Sequence, residues 1–353
     1  MLGSRCRIVV LGTSLAFAAW GGVASAAPRT STYDAFNTPG YSVSNYEAKW
    51  SNPYGPLELA GAGTRDFANK RLNVRAPQFS VGADFSVFDH LKYIGTSDQV
   101  FPAPKTGSVE FTATMTASTP GTVDDLTVNG VFGGPGAWQD PLDPPTGFDD
   151  AAHRVLQGQQ AGVVLNMIDF CTGQLFDWFL SQDTAFTLIE RLPSNVTGNT
   201  SNPNCPGATH VGRDEMYTQI IDEFKVKPGV AHTVSIRFNR KPSGASVDYF
   251  LDGRKVSHAD HIGVPLDVQG VPYSGIYPSL GRGEEIGEQI SSFTIGHGLF
   301  SLLDVFPFQH PEAPELSVSI PVGTGDPATA GNARLFGQGA VGSWDNFTVT
   351  TDG

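Results

Sequence analysis

The chain has 353 residues, with 22 Lys plus Arg against 35 Asp plus Glu and a formal net charge of −13 at neutral pH. A surface this acidic repels phosphate backbones, which argues against nucleic acid and anionic lipid and leaves neutral glycans, other small molecules and cations as partners.

Arg5 and Arg7, an apolar run from Ile8 to Trp20, and Ala24-Ser25-Ala26 have the build of a secretory signal peptide with a small-residue cleavage site. Residues 1–26 are expected to be removed, with an uncleaved signal anchor as the alternative, and residues 27–353 to form one domain, secreted or periplasmic. Losing two arginines leaves 20 bases against the same 35 acids, a net charge of −15. About 325 residues remain, enough for a generous core. No linker rich in Pro, Ser or Thr divides them. No later run of about eighteen apolar residues follows, so no membrane insertion is expected after signal cleavage. Cys6 leaves with the signal. For Cys171 and Cys205 the exported setting predicts a disulfide, which stabilises by roughly 3–4 kcal/mol in the chain-entropy model, with two free buried thiols as the alternative.

Further along, Val109, Phe111, Ala113 and Met115 alternate with Glu110, Thr112, Thr114 and Thr116, the period of a half-buried strand. The centre differs. Ala161–Phe170 and Leu175–Leu180, joined by Cys171-Thr172-Gly173-Gln174, are apolar on both faces, and Thr184–Leu192 continues likewise. An antiparallel sheet with one wet face would alternate cleanly, so these strands are expected to be covered twice: by an opposing sheet, and by long loops drawn from Asn129–Gln160 and Asp260–Gln289. Asp149–Gln160 and Asp214–Phe224 carry weak helical signals, and the second also fits a strand. His232–Asn239 alternates, Lys241-Pro242-Ser243-Gly244 turns, Val247–Leu251 resumes, and Asp252-Gly253 turns again. Leu316–Ile320 and Asn346–Thr350 predict two more strands. Many short strands and few helices predict an all-β, two-sheet antiparallel sandwich or jelly roll.

"VAHTVSIRF", "VDYFLDGRKV" and the terminal "GSWDNFTVTT" resemble the inner and closing strands of concanavalin-A-like jelly rolls, the group that holds legume-type lectins, laminin-G-like modules and many glucanases. "GVVLNMIDFCTGQLFDWFLSQDTAFTLIERLP", "YFLDGRKV", "SLGRGEEI" and "GLFSLLD" look like a functionally uncharacterised family of exported, mostly bacterial proteins of that fold class. The resemblance covers roughly residues 30–352 and implies a fold, not a substrate. Glucanases of the class carry Glu-x-Asp-x-x-Glu on one strand, where period two aims the acids into the cleft. This chain lacks it. The nearest string, Glu284-Glu285-Ile286-Gly287-Glu288, has no aspartate and reads as a solvated loop.

Polar residues inside the doubly apolar centre are the site candidates, because a buried carboxylate or amide costs several kcal/mol unless paired or used. Asp169, Asp177 and Glu190 are the acid/base candidates for an enzyme. Asn166, Trp138, Trp178, Arg191, Arg213 and His297 are candidates for ligand contact, Trp138 by stacking on a sugar face, and Arg191 or Arg213 by stabilising negative charge. Cross-strand pairing is the plain alternative for Asp177, Glu190 and Arg191, and core packing for Trp178. His258, Asp260 and His261 could offer metal ligands, but no helix aligns them, and no metal is assigned. The acidic loop 140–150 is a candidate for calcium, though it lacks EF-hand spacing. Three functions follow: an exported lectin-like protein that binds a neutral glycan or small ligand in a cleft on the central sheet, a hydrolase or lyase on the same scaffold acting on a polysaccharide or apolar small molecule, or a structural envelope protein. The sequence leaves the choice of enzyme and the oligomeric state open.

Overall fold

The computed structural model describes residues 27–54, 63–79, 91–124, 127–128, 153–192, 217–273, 282–302 and 337–353. In chain order the strands begin with β1 (Arg29–Asp34), β2 (Trp50–Tyr54), β3 (Thr64–Asp66), β4 (Leu72–Ala76), β5 (Leu91–Ser97), β6 (Phe101–Pro102) and β7 (Gly107–Ser118). The middle holds β8 (Thr127–Val128), β9 (His153–Arg154), β10 (Gly162–Asp169), β11 (Gln174–Leu180), β12 (Thr184–Arg191) and β13 (Tyr217–Lys225). The last are β14 (His232–Lys241), β15 (Gly244–Leu251), β16 (Arg254–Asp260), β17 (Ser292–Phe300) and β18 (Ala340–Asp352). Helix is confined to short pieces, among them α1 (Val43–Glu47), α2 (Gln157–Gln160) and α3 (Leu266–Gln269).

Apart from β8 and β9, which pair with each other, the strands form two antiparallel sheets. Sheet I runs β16-β15-β14-β7-β18-β4-β3 with β1 also on β18, and sheet II runs β13-β12-β11-β10-β17-β5-β2 with β6 also on β17. Chain neighbours pair as hairpins, whereas β7 pairs with β14 and β18, and β10 with β17, only by long crossovers. That is the two-sheet jelly-roll sandwich expected from the sequence. The Lys241–Gly244 and Asp252-Gly253 turns fall where the local residues place them, since Gly253 and Asp252 both adopt positive φ. Residues 217–225, ambiguous between helix and strand, are strand, and 157–160 is helix. Leu316–Ile320 lies outside the described residues.

Period two decides what each sheet shows to the other. In sheet I, Val109, Phe111, Ala113 and Met115 of β7 and Val234, Ile236 and Phe238 of β14 point inward and are buried, while Thr and Ser alternate outward. Val163, Leu165 and Met167 of β10, Phe176, Trp178 and Leu180 of β11, and Phe293, Ile295 and Leu299 of β17 meet them from sheet II. Three polar tips stitch the layers across this core. Trp178 Nε1 of sheet II donates to Ser235 O of sheet I at 2.9 Å, Trp344 Nε1 of sheet I donates to Val164 O of sheet II at 3.0 Å, and Tyr249 Oη donates to Leu188 O at 2.6 Å. Segment 261–273, with 282–290, does not roof sheet II. Ile262, Leu266 and Ile286 join the inter-sheet core, and Gln219 Oε1 accepts from Leu266 N at 2.6 Å, so this stretch closes the core where β13 faces β16.

Both tryptophans supply a bridge and a large core volume. W178L or W344L is expected to lower the unfolding free energy by about 2–4 kcal/mol, read by urea denaturation at an unchanged slope. A loss under about 1 kcal/mol for both would contradict their placement between the sheets.

Candidate functional site

The second face of sheet II, turned away from sheet I, is where polar groups gather. Antiparallel register sets them in rows. Asn166 lies between Gly296 of β17 and Asp177 of β11, and Asp177 lies opposite Leu188 of β12. Glu190, two residues beyond Leu188, is on the same face, one diagonal from Asp177, and stands opposite Thr218 of β13. Asn166 Nδ2 donates to Asp177 Oδ1 at 2.6 Å, and Thr218 Oγ1 donates to Glu190 Oε2 at 2.6 Å. Gly296 makes the first contact possible, since a Cβ there would come within 2.9 Å of both Cβ and Oδ1 of Asn166. Apolar neighbours on the face are Val164, Ile168, Leu175, Phe179, Phe186 and Leu188, and Thr294 of β17 lies opposite Ile168.

All of it is buried, Asn166 at 0%, Asp177 at 2% and Glu190 at 6% exposure. The second cover foreseen from the sequence is in part α2, which packs on β10 and β12, where Gly158 lies against the Phe186 ring, itself stacked on Phe179 with centroids 4.6 Å apart. Burial pushes Asp177 well above the ordinary carboxylate range, the neighbouring Glu190 charge pushes it further, and the Asn166 donor opposes both. Burial likewise lifts Glu190 to about 7 against the pull of the Thr218 hydroxyl. Among the described residues neither carboxyl has a cation partner. The arrangement places two carboxyls side by side on one buried face, both raised by burial.

Other sequence candidates lie elsewhere. Asp169 shares the parity of Val163, Leu165 and Met167, so it is on the inter-sheet side at the strand end. It staples the turn to β11, accepting from Cys171 N at 2.9 Å and from Thr172 N and Oγ1 at 3.3 and 2.6 Å. Burial raises its pKa, and these donors oppose the rise. Arg191 is also inter-sheet, donating through Nε to Thr172 O at 3.3 Å and pairing with Glu284 at 3.1 Å. Trp178 is core. His297 packs among Trp50, Tyr93, Trp344 and Phe347, with Nε2 3.0 Å from Tyr46 Oη, which is itself 2.6 Å from Tyr93 Oη. Burial, then the Arg65 charge, holds His297 down to about 3. Thus Asp169, Arg191, Trp178 and His297 are on the opposite side of sheet II from Asp177 and Glu190, because side chains alternate and each has the wrong parity. Trp138, Arg213, Cys205 and the 140–150 acidic loop lie outside the described residues. Sequence reasoning missed Thr218, whose pairing with Glu190 follows from the β12–β13 register, and the Tyr46–His297 contact, which spans 251 positions.

A separate cavity of about 590 Å³ opens at the edge of sheet I, lined by Lys241, Ser243, His258, Asp260, His261 and Glu285 among others. His258 is spent on Asp248 and Asp260, at 2.7 and 3.1 Å, and His261 pairs with Glu285. No group of three metal-ligating side chains is drawn together among the described residues.

The two sheets and their crossovers define a jelly-roll sandwich. Solved structures with a similar chain path include the β-glucanase of Bacillus licheniformis (10% identity, 92% of this chain and 98% of that one, TM-score 0.33). They also include the endo-1,3-β-glucanase of Streptomyces sioyaensis (9% identity, 92% and 95%, TM-score 0.36). A third is the carbohydrate-binding module CBM66 of Bacillus subtilis (10% identity, 71% and 91%, TM-score 0.26). At such identities the likeness is one of fold alone. No curated protein matches the chain. The profile of a family of unknown function (DUF6081) matches residues 144–353, more than half of the chain, and the protein belongs to that family.

Two titrations follow, with opposite signs. The folded protein keeps the Glu190 proton to about 7, against an ordinary 4.5, so stability falls as pH rises through that window. E190Q, which abolishes this titration, is expected to gain on the wild type by roughly 3 kcal/mol between pH 4.5 and 8, measured by urea unfolding at both values. An unchanged difference would contradict the burial of this carboxyl. His297 is depressed from 6.5 to about 3, so its contribution is whole above 6.5 and fades as pH falls toward 3. H297F is expected to flatten the acid limb of the stability curve over that interval.

Proposed function

We propose that the protein is an exported carbohydrate-binding jelly roll, and that a neutral glycan contacts Asn166, Asp177 and Glu190 on the outer face of sheet II. The observation that carries the reading is that these three polar side chains share one buried, largely apolar face and, among the described residues, have no cation partner. Such groups supply donors and acceptors to hydroxyls. The acidic balance of the chain, 35 acids against 22 bases, disfavours polyanionic ligands. Export is supported by the signal-like residues 1–26, and a Cys171–Cys205 bridge by Cys171 being buried with its sulfur engaged rather than free. No helix among the described residues is long and apolar enough to cross a membrane.

A second reading, a hydrolase or lyase on the same face, is favoured by one specific feature: two neighbouring carboxyls with different partners, Asp177 with the Asn166 amide and Glu190 with the Thr218 hydroxyl, as a general acid and a base require. A glycan array with the mature protein, run beside reducing-sugar and ultraviolet product assays, separates the two. Retention without turnover supports binding, with D177N or E190Q expected to weaken retention at least tenfold. Turnover abolished by either substitution supports the enzyme. If no glycan raises the melting temperature, where a ligand at a hundred times its Kd adds about 2.7 kcal/mol, the carbohydrate reading fails and a structural envelope role takes its place.

A further inference from the structure

Asp177 and Glu190 stand in different company. Thr218 gives Glu190 a hydroxyl donor at 2.6 Å, a bond that suits an anion. Asp177 is the deeper of the two, and its hydrogen bond is to Asn166, a carboxamide that can meet either a carboxylate or a neutral acid. The Oδ1 of Asn166 is itself buried and without a partner. Among the described residues, the groups facing Asp177 from the packed elements are Glu190 on β12 and, beneath the sheet, Tyr249 on β15, whose pKa burial and then the Asp177 charge push well up. Neither is a cation, and Arg191 lies on the opposite side, paired with Glu284 at 3.1 Å. Two carboxyls a diagonal apart on one dry face do not both ionise without a counter-charge.

We propose that Asp177 stands as a neutral carboxylic acid at neutral pH, positioned by Asn166, while Glu190 is the member of the pair that ionises. The face then offers a ligand one strong donor, the Asp177 hydroxyl, beside one strong acceptor, the Glu190 carboxylate. If that face is the glycan site, the ligand it selects is a neutral sugar that presents a ring or glycosidic oxygen to Asp177 and a hydroxyl hydrogen to Glu190, and uronic-acid polymers are rejected by the Glu190 charge. This ligand class rests on the carbohydrate reading. The protonation does not.

Infrared difference spectroscopy tests the proton with no ligand present. At pH 8, where exposed carboxyls are ionised, the wild type is expected to show a neutral-acid carbonyl band that D177N lacks and E190Q keeps. N166L is expected to shift that band to higher frequency without removing it, the mark of a positioning residue. Carboxyl-13C aspartate labelling of the unmutated protein is expected to move the band by the isotope shift, which serves where a variant folds poorly. A band that survives D177N, that vanishes in E190Q instead, or that ignores the aspartate label overturns the proposal. A silent glycan array with the band in place removes the ligand class and leaves the proton, so the two failures are distinguishable.

Discussion

Covering a sheet on both faces removes the water that would otherwise satisfy its polar side chains, and sheet II is built under that constraint. Every residue of β10, β11 and β12 is buried. Backbone groups in such strands are satisfied by the ladder, but each side-chain amide or carboxyl must find a protein partner or change its protonation state. The sequence of the three strands shows the result. It is apolar at both parities, with the few polar residues paired, stapled into turns or shifted in pKa.

The two faces of sheet II settle that demand in different ways. On the inter-sheet side, polar groups are consumed by structure. Asp169 is saturated by turn donors, Tyr217 Oη donates to Gln174 Oε1 at 3.0 Å, Gln174 Nε2 donates to Glu190 O at 2.9 Å, and Arg191 meets Glu284. On the outer side, among the described residues, Asn166 and Asp177 pair with each other and Glu190 with Thr218, and Asn166 Oδ1 is left without a partner. Stability and chemistry are therefore divided by parity within the same strands: one residue along the chain separates a core tryptophan, Trp178, from the buried acid Asp177.

Much of this was legible. Alternation gave the hairpins β14–β15–β16, and the loss of alternation over 161–192 gave the doubly covered centre, because both follow from local period. The same period would have sorted the site candidates, since Asp169 and Arg191 fall in the parity of Val163 and Ile189, and Asp177 falls out of the parity of Phe176 and Trp178. What the residues could not supply was register between distant strands. Thr218 beside Glu190 depends on how β13 docks after the intervening segment, and His297 against Tyr46 depends on β17 closing over α1. Asp260–Gln289, expected as a roof over sheet II, differs for a related reason: Ile262, Leu266 and Ile286 are spaced like loop apolars, and the open edge between β13 and β16 explains why they plug the core.

The account turns on which face a ligand chooses. Diffraction from crystals soaked in an oligosaccharide that the array identifies would decide it. The account predicts sugar density on the outer face of sheet II, with oxygens in hydrogen-bond reach of Asp177 and Glu190. Density confined to the polar cavity beside His258 and His261, or to the outer face of sheet I, would contradict it.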